Sequence, residues 1–214
     1  MEAREANITE PSVSDSSTYQ VISFDVGLRH FAYCIIDVTG DEKKRTIRYL
    51  ELVDLGCKKG NPQKVIDCVI EVLDDIAYNK LDLNKKTVVL IECQMTAIMK
   101  CVQTVINAYF KITSKYNSMD AVTHYMSAKH KLNLIHRHKD YPKAEESLVP
   151  ISNPKNAKVI KYKKNKLDSV HFATWLLEHK DQDLEMLQKL QSLKKKDDVA
   201  DAYLMAVFHI EVNL

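Results

Sequence analysis

The stretch TVVLIEC at residues 87–93 constrains the fold more than any other. Val88, Val89, Leu90 and Ile91 follow one another with no polar residue between them. A run of this kind suits a strand buried on both faces, because an exposed face would ask for alternation. Covering both faces needs helices above and below the sheet, so the chain is expected to fold as a layered α/β domain. The flanking sequence supplies the helices. Asn61-Pro62 opens one that runs to about Asn79, with apolar residues at 65, 66, 69, 70, 73, 76 and 77. A second covers Ala97 to Tyr116, where Ile98, Val102, Val105, Ile106, Tyr109 and Ile112 form a wide apolar stripe.

The remaining strands follow from alternation and turn residues. In YQVISFDV (19–26), Ile22, Phe24 and Val26 point one way and Val21, Ser23 and Asp25 the other, until Gly27 breaks the run. HFAYCIIDV (30–38) reads as a second strand, Thr39-Gly40-Asp41 as a turn, and Ile47–Leu55 as a third strand, which makes an antiparallel meander. Ala121 to Ser127 is expected to be the fifth strand, with LVPIS at 148–152 competing for that place. The helix between Glu92 and Ala121 fits a crossover joining parallel strands. Residues 128–164 read as a long basic loop with a short hairpin, followed by helices over 166–180, 182–193 and 197–212. The sum is a mixed five-stranded sheet flanked by helices, in a single domain over 19–214 behind a disordered tail at 1–18.

Composition removes several function classes. The chain has only four glycines, which disfavours a phosphate-cradling glycine loop. No apolar run approaches the ~18 residues of a membrane helix, so no membrane partner is expected. The N-terminal residues have neither an apolar signal core nor the Arg-rich, acid-poor make-up of a transit peptide. Five cysteines without a CxxC pair predict reduced thiols in an intracellular setting. The net charge of +2 gives no global pull on nucleic acid, yet the charge is unevenly spread. Lys155, Lys158, Lys161, Lys163, Lys164 and Lys166 sit in twelve residues with no acid among them, and 128–143 is also basic. A basic run is often only a solvated loop, but two in one region suit contacts to backbone phosphates.

KKKDDVADAYLMAV at 194–207 raises the sharpest chemical question. Helix N-termini favour carboxylates, so Asp197 could simply cap the last helix. Asp201 lies a full turn further in, among Val199, Ala200, Ala202 and Tyr203, where an unpaired carboxylate is costly. Asp198 and Asp201 are three apart and share one helix face. Asp25 ends the first strand, a residue type strands disfavour, and Glu92 ends the buried fourth strand. If those strands are neighbours, both carboxylates emerge at the carboxyl end of the sheet, where functional groups collect in open α/β folds. Four carboxylates sharing a pocket repel, and divalent cations relieve this through hard oxygen ligation.

FDVGLRHFAYCIID at 24–37, LIECQ at 90–94 and KKDDVADAYLMA at 195–206 resemble the three acidic motifs of the RuvC-type Holliday junction resolvases, particularly those of poxviruses, other large DNA viruses and yeast mitochondria. The resemblance extends from about residue 19 to 212. It implies a ribonuclease H-like fold, a homodimer, and branched four-way DNA as partner. It also implies Mg²⁺ or Mn²⁺, two ions per active site, and hydrolysis to a 5′-phosphate and a 3′-hydroxyl. By motif, the metal-binding and catalytic carboxylates are Asp25, Glu92, Asp198 and Asp201, with Asp197 as an adjacent extra carboxylate. Asp25 would bridge both ions, and the other three would complete the two sites. The lysines at 155–166, Lys194, Lys195, Lys196 and Arg29 are the expected DNA contacts. Cys93 stands where relatives often carry a basic residue. If the source is viral, the setting would be the host cytoplasm or the site of viral replication. The same carboxylates would serve another ribonuclease H-like nuclease acting on RNA–DNA hybrids, and a junction-binding protein without chemistry is the third reading. A sugar-kinase or actin-type ATPase shares the FDVG turn but needs two such domains and more glycine.

Overall fold

The structure, a computed structural model, describes residues 18–56, 61–117, 119–127, 129–142 and 154–212. Three strands open the chain: β1 (Tyr19–Asp25), β2 (His30–Thr39) and β3 (Lys44–Asp54). Helix α1 (Pro62–Asn79) leads to β4 (Lys86–Glu92), and α2 (Ala97–Tyr116) leads to β5 (Ala121–Met126). A short helix α3 (Lys129–Asn133) and one 3-10 turn (Leu134–His136) follow, then α4 (Pro154–His179), α5 (Leu184–Ser192) and α6 (Lys196–Val212). The sheet order is β3-β2-β1-β4-β5. β1 pairs antiparallel with β2 and parallel with β4, and β5 pairs parallel with β4. The expected meander and the parallel crossover are both present.

Strand alternation divides the core in two. Ile22, Phe24, Tyr33, Val89 and Ile91 pack on one face beneath α1 and α2 residues such as Leu73 and Phe110. Val21, Cys34, Val88 and Leu90 pack on the other beneath residues of α4, α5 and α6 such as Phe172, Leu190 and Leu204. Because side chains alternate along a strand, Asp25 and Glu92 fall on this second face, toward α6. Helix α6 is apolar all round, with Val199, Ala200 and every residue from Ala202 to Ile210 buried, so it is a central helix rather than an amphipathic cover. The buried Ser23 hydroxyl donates to the Ala202 carbonyl at 2.6 Å, which pins α6 to β1 one residue from Asp201.

Two readings of the basic region are corrected. Residues 129–136 form helical turns rather than a loop, and the lysine-rich run is not a loop either. It is the first half of the 26-residue helix α4, which starts at Pro154, well before residue 166. Lysine is a good helix former, and the apolar stripe used to find helices is missing where a helix extends past the core. The competing strand at 148–152 lies outside the described residues, as does the tail but for Thr18. Phe110 of α2 is fully buried, and the Tyr109 hydroxyl donates to Asp74 of α1 at 2.6 Å. Among the described residues no helix is long and apolar enough to cross a membrane.

Candidate active site

A cleft of about 470 Å³ opens at the carboxyl ends of β1 and β4, and Asp25, Glu92, Asp198 and Asp201 all line it. The first two arrive side by side because β1 and β4 are paired in parallel, with Phe24 opposite Ile91. The other two come from the first turns of α6, one turn apart on the face that looks across the cleft. The turn after Asp25 is tightly built. A Cβ on Gly27 would lie 2.0 Å from the His30 carbonyl oxygen, so only glycine lets the chain re-enter the sheet directly after the carboxylate.

The carboxylates are crowded and partly desolvated, and their proton affinities divide accordingly. Burial and then the neighbouring Glu92 push Asp25 well above the usual carboxylate range. Burial also pushes Glu92 up, but the hydrogen bond with Asp25, the Lys131 ammonium and Gln94 outweigh it and hold Glu92 below its ordinary value. Of the two carboxyls in contact, burial and the Glu92 charge thus make Asp25 the one that favours its neutral form. Burial raises Asp201 against the pull of Lys131, and burial together with the Asp197 charge raises Asp198. Asp201 Oδ1 is a buried oxygen without a hydrogen-bond partner.

Two lysines enter the site. Lys131 of α3 lies 3.0 Å from Glu92 Oε1 and 2.6 Å from Asp201 Oδ2. Lys166 of α4 pairs with Asp197 and lies 3.6 Å from Asp198. Gln94 Nε2 donates to Glu92 Oε2 at 2.9 Å. Asn165, Ser169 and Tyr162 of α4 and His30 of β2 complete the wall. The sequence held no signal for Lys131, one lysine among many in a segment without readable periodicity.

The extra carboxylate Asp197 is neither the helix cap nor part of the cleft wall; it lies inside the first turn of α6, bound to Lys166, which holds it below the usual range despite its burial. Lys163, Lys164, Lys194 and Lys195 are exposed, and Lys196 is half-buried. Lys155, Lys158 and Lys161 belong to α4, but their side chains lie outside the described residues. Arg29 is exposed, 3.7 Å from Asp54 of the neighbouring strand, and does not line the cleft.

The donor set is made of hard carboxylate oxygens around an open cleft, with the orphan Asp201 Oδ1 among them, which fits a divalent cation such as Mg²⁺ or Mn²⁺. Among the described residues no three His, Cys, Asp or Glu side chains yet converge into a finished ligand set. The Lys131 ammonium stands between Glu92 and Asp201 instead.

Comparison of the sequence with protein-family models and with curated proteins returns no match. Solved structures do match. A fowlpox virus resolvase in complex with its substrate Holliday junction DNA superposes with a TM-score of 0.52 at 16% identity, covering 91% of this chain and 99% of that one. RuvC of Thermus thermophilus superposes with a TM-score of 0.54 at 10% identity, covering 91% of this chain and 96% of that one. At such identities what is shared is the path of the backbone: this chain has the ribonuclease H-like fold of the RuvC-type resolvases.

Proposed function

We propose that the protein is a structure-specific endonuclease that resolves four-way DNA junctions by metal-dependent phosphodiester hydrolysis. One observation carries the reading: on this fold, Asp25, Glu92, Asp198 and Asp201 line a single cleft from three separate segments of the chain. Core packing has no use for four carboxylates there, since like charges at short range oppose folding.

Asp25, Glu92, Asp198 and Asp201 would hold two divalent ions, Mg²⁺ or Mn²⁺. Bound, such ions act as Lewis acids on the phosphate and lower the pKa of water. The chain's own residues do the rest. A positive charge entering the cluster would favour the ionised form of Asp25. Gln94 orients the Glu92 carboxylate through its second oxygen. Helix α4 runs from the lysine-rich turns directly to Asn165, Lys166 and Ser169 in the cleft wall, so one rigid element joins the basic surface to the chemistry. Lysines there and at 194–195 would grip backbone phosphates, giving affinity that falls with salt and carries little sequence information. Hydrolysis leaves a 5′-phosphate and a 3′-hydroxyl. Resolving a junction takes two nicks, one on each of two strands, which a homodimer with two such clefts would deliver.

The test is an end-labelled four-way junction incubated with Mg²⁺ or Mn²⁺, beside a linear duplex and an RNA–DNA hybrid, with Asp198→Asn as control. Paired symmetric nicks on the junction, absent with the variant, are expected. Cleavage of the hybrid alone would replace this reading with a ribonuclease, and tight junction binding without any cut would leave a binding module.

A further inference from the structure

Four carboxylates on one cleft need a counter-charge, and the chain carries one of its own. Lys131 is buried with its side chain only 10% exposed, and its ammonium touches a carboxylate from β4 and another from α6. It reaches them from a third element, the five-residue helix α3, which the core anchors through Leu134 in the turn that follows. The two oxygens it engages, Glu92 Oε1 and Asp201 Oδ2, belong to the donor set that a divalent ion would use, while Asp201 Oδ1 stays without a partner. An ammonium on those oxygens takes lone pairs that the ion would use and sets a second positive charge beside it, so the two compete for the same carboxylates.

We infer that Lys131 is an internal counter-cation that holds the carboxylates together before metal binds, competes with the divalent ion for Glu92 and Asp201, and leaves them when the ion arrives. This inference rests on the metal-dependent nuclease reading above. Two consequences follow. The unloaded protein folds without a metal, since the buried carboxylates are not left unpaired. Metal affinity is weaker than the carboxylates alone would set, because each binding event must displace the lysine.

The experiment is a calorimetric titration of wild type, Lys131→Met and Lys131→Arg with Mn²⁺ and with Ca²⁺ at fixed ionic strength, alongside thermal melting. Methionine keeps the length of the chain and removes the charge. Lys131→Met should melt lower than wild type without metal, and its half-saturating metal concentration should fall at least fivefold. Lys131→Arg should stay near wild type in both. Wild type gives an independent readout should the methionine variant fail to fold. Reductive methylation with formaldehyde, followed by mass spectrometry, should label Lys131 more strongly when metal is added. An unchanged or higher half-saturation in Lys131→Met, or labelling of Lys131 that does not rise, would overturn the counter-cation while leaving the nuclease reading intact. Metal uptake by neither wild type nor variant would overturn both.

Discussion

Helix α6 carries a buried charge cluster at each end, and the two are built on opposite principles. At the C-terminal end, Arg45 of β3 pairs with Asp181 and Glu211, each at 2.7 Å, while Tyr203 donates to Asp181 and His138 lies 3.1 Å from Glu211. Every buried polar atom of Arg45, Asp181, Tyr203 and Glu211 has a partner. At the N-terminal end, roughly 15 Å away by helical rise, five carboxylates face two lysines and one buried oxygen is orphaned. The first cluster, one guanidinium and one imidazole against two carboxylates, is fully partnered. The second has an acid surplus that the described residues do not remove. Lys131 and Lys166 offset part of that surplus and leave the rest, so the imbalance itself marks this end as the candidate functional one.

Substitutions at the two ends should therefore fail in opposite ways, and this is where the largest effects lie. Arg45 is 11% exposed and its partner Asp181 is 4% exposed. Arg45→Met leaves buried carboxylates unpaired and should lower unfolding free energy by about 3–5 kcal/mol, measured by denaturant titration, with cleavage per folded molecule retained. Asp198→Asn should do the reverse. The Asp198 carboxyl is held above its ordinary range by burial and by Asp197, so the folded state binds its proton more tightly than the unfolded chain does. The stability it contributes is present at low pH and lost as pH rises, and at neutral pH the charge is a liability. Asparagine removes that liability, so the melting temperature should hold or rise while junction cleavage falls at least about a hundredfold, roughly 3 kcal/mol of transition-state stabilisation. A destabilised Asp198→Asn would break the comparison.

Gly27 sharpens it from the backbone side. Any side chain there meets the His30 carbonyl at 2.0 Å, and backbone yields less readily than a flexible side-chain tip. Gly27→Ala should open the β1–β2 turn, lower stability by about 1–3 kcal/mol and also displace Asp25. Cleavage should then fall further than the folded fraction does, a split that separates a site defect from simple unfolding.

What could be read beforehand follows the same division of physical causes. The strands and the central helix were legible because burial imposes a period: VVLI leaves no exposed face, and the alternation of Val21, Ser23 and Asp25 already puts Asp25 on the side that α6 occupies. The four carboxylates were legible because each breaks a local rule, an acid ending a buried strand or lying a turn inside an apolar helix. Lys131 breaks no rule. A lysine in a basic segment is ordinary, and only the tertiary approach of α3 to β4 and α6 gives it meaning. The lysine-rich half of α4 was hidden for a related reason, since a helix without a core-facing stripe leaves no periodic signal.

The C-terminal end of α6 also carries a titratable group held neutral, which gives the comparison a pH axis. Burial first, and then His124, lower His209 to about 4, and the residue is 5% exposed. The two rings lie 5.5 Å apart, beside Lys86 in the same groove. The unfolded chain takes up the proton near pH 6.5 and the folded chain only near 4, so between these values the unfolded state binds more protons. Stability should thus fall as pH drops through that window, by at most roughly 3 kcal/mol. His209→Gln should flatten the dependence in denaturation curves recorded from pH 7 to pH 4.5. An unchanged slope would mean that His209 is not the source of the acid sensitivity.

The smallest effect concerns how the acid surplus is presented to DNA. Lys194 and Lys195 are exposed immediately before α6, and the charge of Lys195 is felt at Asp198. On the nuclease reading a polyanionic substrate approaches a cleft that is itself acidic, so nearby surface lysines would offset the repulsion. Replacing both by glutamine should weaken junction binding uniformly across sequences and lower the slope of log affinity against log salt by about 1 per lysine. Fluorescence anisotropy over a salt series, with Ca²⁺ in place of the activating ion, reads this directly. The sign at low metal is the decisive part. If the carboxylates repel DNA until they are neutralised, the double variant should lose more affinity without the ion than with it. Equal losses in both conditions would mean that the lysines grip DNA independently of the charge in the cleft.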